Sequence, residues 1–184
     1  MKLCVYCGSS IGNSRIYQDA ARQLANAMVQ RGIDLVYGGA NLGLMKIVAD
    51  TILSGGGHVT GVIPDLLATE RAHPGLSELH VVDSMHARKT KMFELSDAFV
   101  ALPGGYGTLE EIIEQLTWAQ LGIHPHPCGI LNINGYYDYF VKFLDTATQQ
   151  GFIKPDHRHM LTIANTPEDL FAQFEKYKAP KAAK

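Results

Sequence analysis

The chain has 184 residues, 46% hydrophobic and 18% charged, which is enough for one globular domain with a sizeable core and too little for two full domains. A formal net charge of -2 leaves no excess of lysine and arginine, which excludes a surface that holds a nucleic-acid polymer through its phosphates but leaves room for a small anionic ligand. The apolar stretches fall far below the roughly 20 residues of a membrane-spanning helix, so no membrane anchor is expected.

Met1-Lys2-Leu3-Cys4-Val5-Tyr6-Cys7 enters directly on a β-like run, with no charged leader or small-residue cleavage site, and points to a soluble cytoplasmic protein. Residues 3–6 read as a strand and 14–31 as a helix, with Asn13 or Ser14 as its cap and Gly32 as its stop. A second strand over 33–37 leads into Gly38-Gly39-Ala40-Asn41-Leu42-Gly43 and a helix to about residue 53, ended by Gly55-Gly56-Gly57. A third strand covers 58–63, and residues 64–77 read as a polar connection containing Pro74 and Gly75. Strand 79–82, helix 85–96 and strand 98–102 follow, then Pro103-Gly104-Gly105-Tyr106-Gly107-Thr108 and a helix to about 121. Strand 129–133, helix 136–150, strand 161–164 and helix 167–177 complete a domain over 1–178, and the tail 179–184 is expected to be disordered.

Short strands apolar on both faces and separated by helices predict a parallel sheet covered on both sides, a single-domain, Rossmann-like α/β fold. In such sheets ligands bind beyond the carboxyl ends of the strands, where strand order reverses. Three glycine-rich loops leave strands at that rim: Cys7-Gly8-Ser9-Ser10, Gly38 to Gly43, and Pro103 to Thr108. Together they let backbone amides approach a ligand without obstruction by Cβ atoms. The three cysteines, Cys4, Cys7 and Cys128, are expected to be reduced, because positions 4 and 7 of a strand face opposite ways.

No segment matches G-x-x-x-x-G-K-[ST], so a P-loop nucleotide triphosphatase is excluded. A dinucleotide fold would carry G-x-G-x-x-G in its first turn, whereas here Gly105-x-Gly107 comes late and Glu110 stands at the third glycine's place. A helix opening at Thr108 offers unpaired amides and a positive dipole end to an anion. The competing reading of Thr108-Leu109-Glu110-Glu111 is a capping box, in which Glu111 merely satisfies the Thr108 amide. Met85-His86-Ala87-Arg88-Lys89-Thr90-Lys91 adds cations on the same rim, or else a solvated basic helix face. The close pairs His124-x-His126 and His157-x-His159 have no cysteine or acidic set to complete a zinc geometry, and no metal is expected. His86 is expected to be a packing or interface residue, and Trp118 a core or dimer contact.

Pro103-Gly-Gly-Tyr-Gly-Thr-Leu-Glu-Glu111 resembles the P-G-G-x-G-T-x-x-E signature of the LONELY GUY family, cytokinin riboside 5'-monophosphate phosphoribohydrolases, and Met85-x-x-Arg88-Lys89 is similar to its companion motif. The likeness runs through VYCGSS, DLVYGG, GLM, GVIP, SDAF, TWAQLGIH and GYYD, nearly the whole chain. The resemblance implies hydrolysis of the N-glycosidic bond of a nucleoside 5'-monophosphate, a cytokinin nucleotide or AMP, to free base and ribose 5-phosphate by a homodimer without a cofactor. It implies Glu111 under the ribose and Arg88 at the leaving base or phosphate as catalytic residues. Gly104, Gly105, Tyr106, Gly107 and Thr108 would hold the 5'-phosphate. Glu70, Lys89, Ser9, Gly38 and Gly39 are further substrate-binding candidates. Glu110 is expected to point into solvent. Ala40 and Lys46 depart from the family, which has glycine at both places. Relatives of similar fold that carry nucleotides or molybdenum cofactor without cleaving them supply the alternative, against which the intact Arg88 and Glu111 stand. The family is also labelled lysine decarboxylase, but no lysine here sits in a recognisable pyridoxal-phosphate setting.

Overall fold

Alternation along the first strand, β1 (Lys2–Tyr6), sends Leu3 and Val5 to one face and Cys4 and Tyr6 to the other, and all four are buried. A strand apolar on both sides must be covered on both sides. The computed structural model describes residues 1–180 and shows that arrangement: seven parallel strands with helices on each face. Strands β2 (Asp34–Tyr37), β3 (Val59–Pro64), β4 (Glu78–Val82), β5 (Ala98–Ala101), β6 (Cys128–Leu131) and β7 (Leu161–Ala164) join β1 in the order β4-β3-β2-β1-β5-β6-β7. The register pairs Cys4 with Val36 on one side and with Phe99 on the other. The chain winds outward from β1 to β4, then returns to place β5 against β1, so the loops after β1 and β5 flank the point where strand order reverses.

Helices α1 (Arg15–Gln30), α2 (Gly43–Ser54) and α8 (Pro167–Lys176) cover one face, packing Leu24, Met28, Val48, Ile52, Leu170 and Phe171 against Leu3, Val5 and Leu35. Helices α4 (Met85–Glu94), α5 (Tyr106–Gln120) and α6 (Asp138–Gln149) cover the other, with Met92, Ile112 and Val141 packed among Cys4, Tyr6, Phe99 and Ile130. Cys4 and Cys7 fall in opposite cores and, like Cys128, are free thiols. Burial pushes the Cys4 thiol up to about 12, so it stays protonated at neutral pH. Ser14 caps α1, its hydroxyl accepting from Ile16 N at 3.4 Å, and Gly32 takes the left-handed conformation (φ 63°) that lets the chain turn back into β2.

Three boundaries differ from the sequence reading. Residues 64–77 are not all connection, since α3 (Asp65–Arg71) forms there; it buries none of its residues, which leaves no apolar stripe to read. A second short helix, α7 (Pro155–Arg158), follows α6, and α6 itself starts at Asp138, after a 3-10 turn at Ile133–Gly135. Of the tail expected at 179–184, residues 181–184 lie outside the described residues. No helix among the described residues is long and apolar enough to cross a membrane. Leu24 is fully buried between α1 and the sheet. Leu24→Ala should therefore lower the unfolding free energy by about 2–5 kcal/mol in urea titration, through lost transfer energy and a residual cavity.

Candidate active site

The three rim loops are tied to one another by their backbones. Gly8 N donates to Pro103 O at 3.1 Å, joining the loop after β1 to the loop after β5. Leu44 N donates to Gly8 O at 3.0 Å, joining the loop after β2 to the first. A methyl at Gly43, which has φ 54°, would lie 2.3 Å from the Ser9 carbonyl carbon, so the close crossing of these two loops requires glycine. The segment after α3 closes the outer side: Asn41 N donates to Arg71 O at 2.8 Å and His73 N to Gly39 O at 2.9 Å. Ala40, buried, forms an antiparallel bridge with Ala72. Lys46 pairs with Asp50 one turn on, at 2.8 Å.

Helix α5 begins two residues earlier than the sequence suggested, with Gly105 as N-cap and Tyr106 as its first residue. The capping-box reading is thereby overturned: Thr108 is the third helical residue, and Glu111 lies beyond reach of any N-cap amide. The intrahelical ladder starts with Leu109 N donating to Gly105 O at 3.1 Å, so the amides of Tyr106, Gly107 and Thr108 precede it and point out of the helix end. A methyl on Gly105 or Gly107 would meet no atom within 4 Å, so this end is open. Thr108 is buried, and its hydroxyl lies against Gly104, where a Cβ would come within 2.1 Å of Oγ1. Gly104 is therefore needed for helix and loop to pack.

Glu111 finds its partner on the neighbouring helix. Arg88 Nη1 donates to Glu111 Oε1 at 3.0 Å, and the two side chains are each only 12% exposed. Arg88 Nε donates to the Val62 carbonyl at 3.1 Å, which fixes the guanidinium plane at the carboxyl end of β3. Ser84 caps α4, accepting from Ala87 N at 3.1 Å, and so sets Arg88 on the first turn. Burial pushes the Glu111 carboxyl above the ordinary glutamate range, and the Arg88 charge opposes that shift without cancelling it. Gly38 makes room for this pair: a methyl there would sit 2.0 Å from Arg88 Nη2.

The remaining sequence candidates divide. Lys89 donates to Glu110 and, at 2.9 Å, to Glu114, and the hydrogen bond to Glu110 leads in holding its pKa above the usual lysine value. It ties α4 to α5 through two carboxylates, and Glu110, exposed as expected, is paired with this lysine. Ser9 is exposed on the rim, whereas Gly39 turns with φ 73° beneath the outer strands. Glu70 is exposed on α3. A cavity of about 300 Å³ opens between the first and third loops, bounded in part by Gly8, Ser9, Gly104, Gly105, Tyr17 and Tyr136; Arg88 and Glu111 are not part of its wall. His124 is buried, tilted over Phe93 and Phe99 and stacked on His126, and its Nε2 lies 3.1 Å from Gln115 O; these are packing roles. Trp118 stands edge-on to Phe93 in the same cluster, while His86 is exposed.

Residues 45–174 match the protein family described as "Possible lysine decarboxylase". The cytokinin riboside 5'-monophosphate phosphoribohydrolase LOG of Oryza sativa subsp. japonica is 50% identical over 177 residues, 96% of this chain and 73% of that protein. The chain belongs to the LONELY GUY family. Among further members, the Arabidopsis thaliana protein named "Probable cytokinin riboside 5'-monophosphate phosphoribohydrolase LOG6" is 52% identical over 95% of this chain and 88% of its own length. The solved structure of a molybdenum cofactor binding protein from Rippkaea orientalis superposes with TM-score 0.71 over 95% of both chains at 19% identity, which shows a shared fold and nothing more. The decarboxylase description finds no support in the LONELY GUY site, where Lys46 and Lys89 are both held in ion pairs.

Gly38→Ala should leave the fold intact, because the clash is with the far end of a flexible side chain and Gly38 needs no positive φ. It should displace the guanidinium, and a crystal structure of the variant is expected to show Arg88 Nη1 more than about 4 Å from Glu111, beyond ion-pair distance.

Proposed function

We propose that this protein hydrolyses the N-glycosidic bond of nucleoside 5'-monophosphates with an adenine-type base, cytokinin riboside 5'-monophosphates and AMP, to free base and ribose 5-phosphate. The observation that carries this reading is the buried Arg88–Glu111 pair on the rim, one and a half turns from the open N-terminus of α5. Tyr106 and Glu111 are five residues apart, about 7.5 Å along the axis, a distance that ribose 5-phosphate can bridge with its phosphate on the amides and its C1' near the carboxylate. The relatives named above, at 50 and 52% identity, are named for this chemistry.

Breaking the bond from C1' to the base nitrogen leaves the electron pair on the base and positive charge on the sugar. The phosphate docks on the amides of Gly105, Tyr106, Gly107 and Thr108, where charge-assisted hydrogen bonds contribute about 1.5–3 kcal/mol each. Glu111, as carboxylate, stabilises the oxocarbenium-like sugar and takes a proton from the attacking water. Arg88 keeps that carboxylate charged despite its burial and offers its remaining donors to the developing charge on the base. Ser9, exposed on the rim, contacts the phosphate, and Glu70, exposed on α3, the base. Lys89 supports the site through the α4–α5 contact.

The protein works as a homodimer in this proposal. Support comes from an exposed apolar edge, with Leu79 and Val81 on β4, Leu66 of α3 at 91% exposure and Met85 on α4, which a second copy would cover. The three free buried thiols suit a reducing, cytoplasmic compartment.

Purified protein incubated with AMP and with isopentenyl-AMP should release free base, followed by chromatography; tight binding without release would identify a carrier instead. Glu111→Gln and Arg88→Ala should each lower kcat by at least about 100-fold with the circular dichroism of the folded parent, Arg88→Ala at a lower Tm because it leaves Glu111 buried without its cation. A Glu111→Gln variant with near-normal rates would overturn the assignment. The parent enzyme requires ionised Glu111, whose pKa is raised, so kcat/KM should fall with acid along a limb that lies above the ordinary glutamate pKa of about 4.3.

A further inference from the structure

The loop that precedes α5 can favour an anion through amides only if its carbonyls are taken by other donors. Each of them is. Leu102 O accepts from the hydroxyl of Tyr137 at 2.7 Å, Pro103 O from Gly8 N at 3.1 Å, Gly104 O from the hydroxyl of Tyr136 at 2.6 Å, and Gly105 O from Leu109 N at 3.1 Å. Two of the four donors are consecutive tyrosines from another element, 32 and 35 residues away in sequence.

The corner after β6 is built to deliver them. Asn134 holds a left-handed conformation (φ 52°) and Gly135 another (φ 71°), which reverses the chain within the 3-10 turn. Asn132 locks the result, its Oδ1 accepting from Tyr137 N and its Nδ2 donating to Asp138 Oδ1, both at 2.7 Å. Tyr137 is buried, with its ring edge-on to Tyr136 at 4.9 Å, and Tyr136 is in turn edge-on to Tyr17 at 5.6 Å. Both hydroxyls are thus aimed by packing as well as by their hydrogen bonds.

We infer that Tyr136 and Tyr137 are positioning residues for anion binding: their hydroxyls occupy the Gly104 and Leu102 carbonyls, so that no unpaired carbonyl of this loop opposes the phosphate held by the α5 amides. The inference rests on the phosphate site proposed above and assigns its specificity for a dianion to side chains that need not touch the reacting centre. Without its tyrosine donor, the Gly104 carbonyl keeps an unpaired lone pair beside the rim cavity, where it repels phosphate oxygens. An interaction of this kind acts equally on substrate, transition state and ribose 5-phosphate product, so its loss belongs in KM and product affinity and leaves the chemical step alone.

The test is Tyr136→Phe in the full chain, with Tyr136→Leu and Tyr137→Phe beside it. For Tyr136→Phe, KM for AMP and the calorimetric Kd for ribose 5-phosphate should both rise about tenfold, the scale of one hydrogen bond to a group otherwise left unpaired, with kcat within about twofold of the parent. Tyr137→Phe should do the same with a lower Tm, since its hydroxyl is buried; should that variant fail to fold, the Tyr136 pair still decides. Parent-like KM and Kd in Tyr136→Phe, with only Tyr136→Leu impaired, would show that the ring and not the hydroxyl matters and would overturn the inference. So would a fall in kcat at unchanged KM. Ribose 5-phosphate binding needs no turnover, so a parent protein that binds it but releases no base from AMP sinks the reaction and leaves the clamp standing; one that binds no ribose 5-phosphate sinks both.

Discussion

A guanidinium and a carboxylate meeting at 3.0 Å, each side chain 12% exposed, is the contact around which this rim is organised. Taking such ions out of water costs several kcal/mol each, and well-packed apolar residues of similar volume would often give an equal or more stable protein. The fold nevertheless devotes much to the pair. Gly38 clears space for the guanidinium, the Val62 carbonyl anchors its Nε, and Lys89 with Glu110 and Glu114 holds α4 against α5 on the outer side. Placed at the carboxyl ends of the strands, where α/β sheets bind ligands, an arrangement this costly is accounted for by chemistry more readily than by stability.

The same rim depends on backbone that comes unusually close to backbone. Gly43 against Ser9, Gly104 against Thr108 and Gly8 bonded to Pro103 bring three loops into one surface, and in the first two cases a single methyl would force the segments apart. The glycines therefore do two different things. Some, such as Gly105 and Gly107, leave open space for a ligand, while Gly38, Gly43 and Gly104 let protein atoms occupy the space a side chain would have taken.

That division explains what could be read from the chain and what could not. All seven strands were legible, because both faces of each inner strand are apolar and glycine or proline punctuates their ends. Glu111 and Arg88 were named from motifs, and the structure brings them into contact. The start of α5 was misread because Thr108-Leu109-Glu110-Glu111 has the spacing of a capping box, and local pattern cannot show that Thr108 is buried under Gly104. For Lys89 the sequence leaves open a phosphate contact or a place on the helix surface, because one step along α4, which turns it about 100° from Arg88 and toward the acids of α5, leaves no local pattern. Tyr136 and Tyr137 gave no signal of their role, since hydrogen bonds to carbonyls 32 and 35 residues away leave no periodicity behind. The Asn134-Gly135 pair did mark a turn there, but not what the turn aims.

Electrostatics connects the two halves of the proposed site. Arg88 and Glu111 sum to no net charge, and Lys89 is held by Glu110 and Glu114, so a dianionic phosphate meets the rim chiefly through amide dipoles at the end of α5. Its arrival places negative charge near Glu111, in the same direction as the burial that already raises that group's pKa. Without a neighbouring cation both effects would favour the protonated acid, which is of no use to an oxocarbenium-like sugar. In the proposed reaction the guanidinium of Arg88 opposes that rise and favours the ionised acid while substrate is bound, a function it has even before the base begins to leave. A dipolar cradle for the phosphate and an internally compensated pair for the sugar form one design, in which the ligand's charge is balanced by the fold without a free surface lysine.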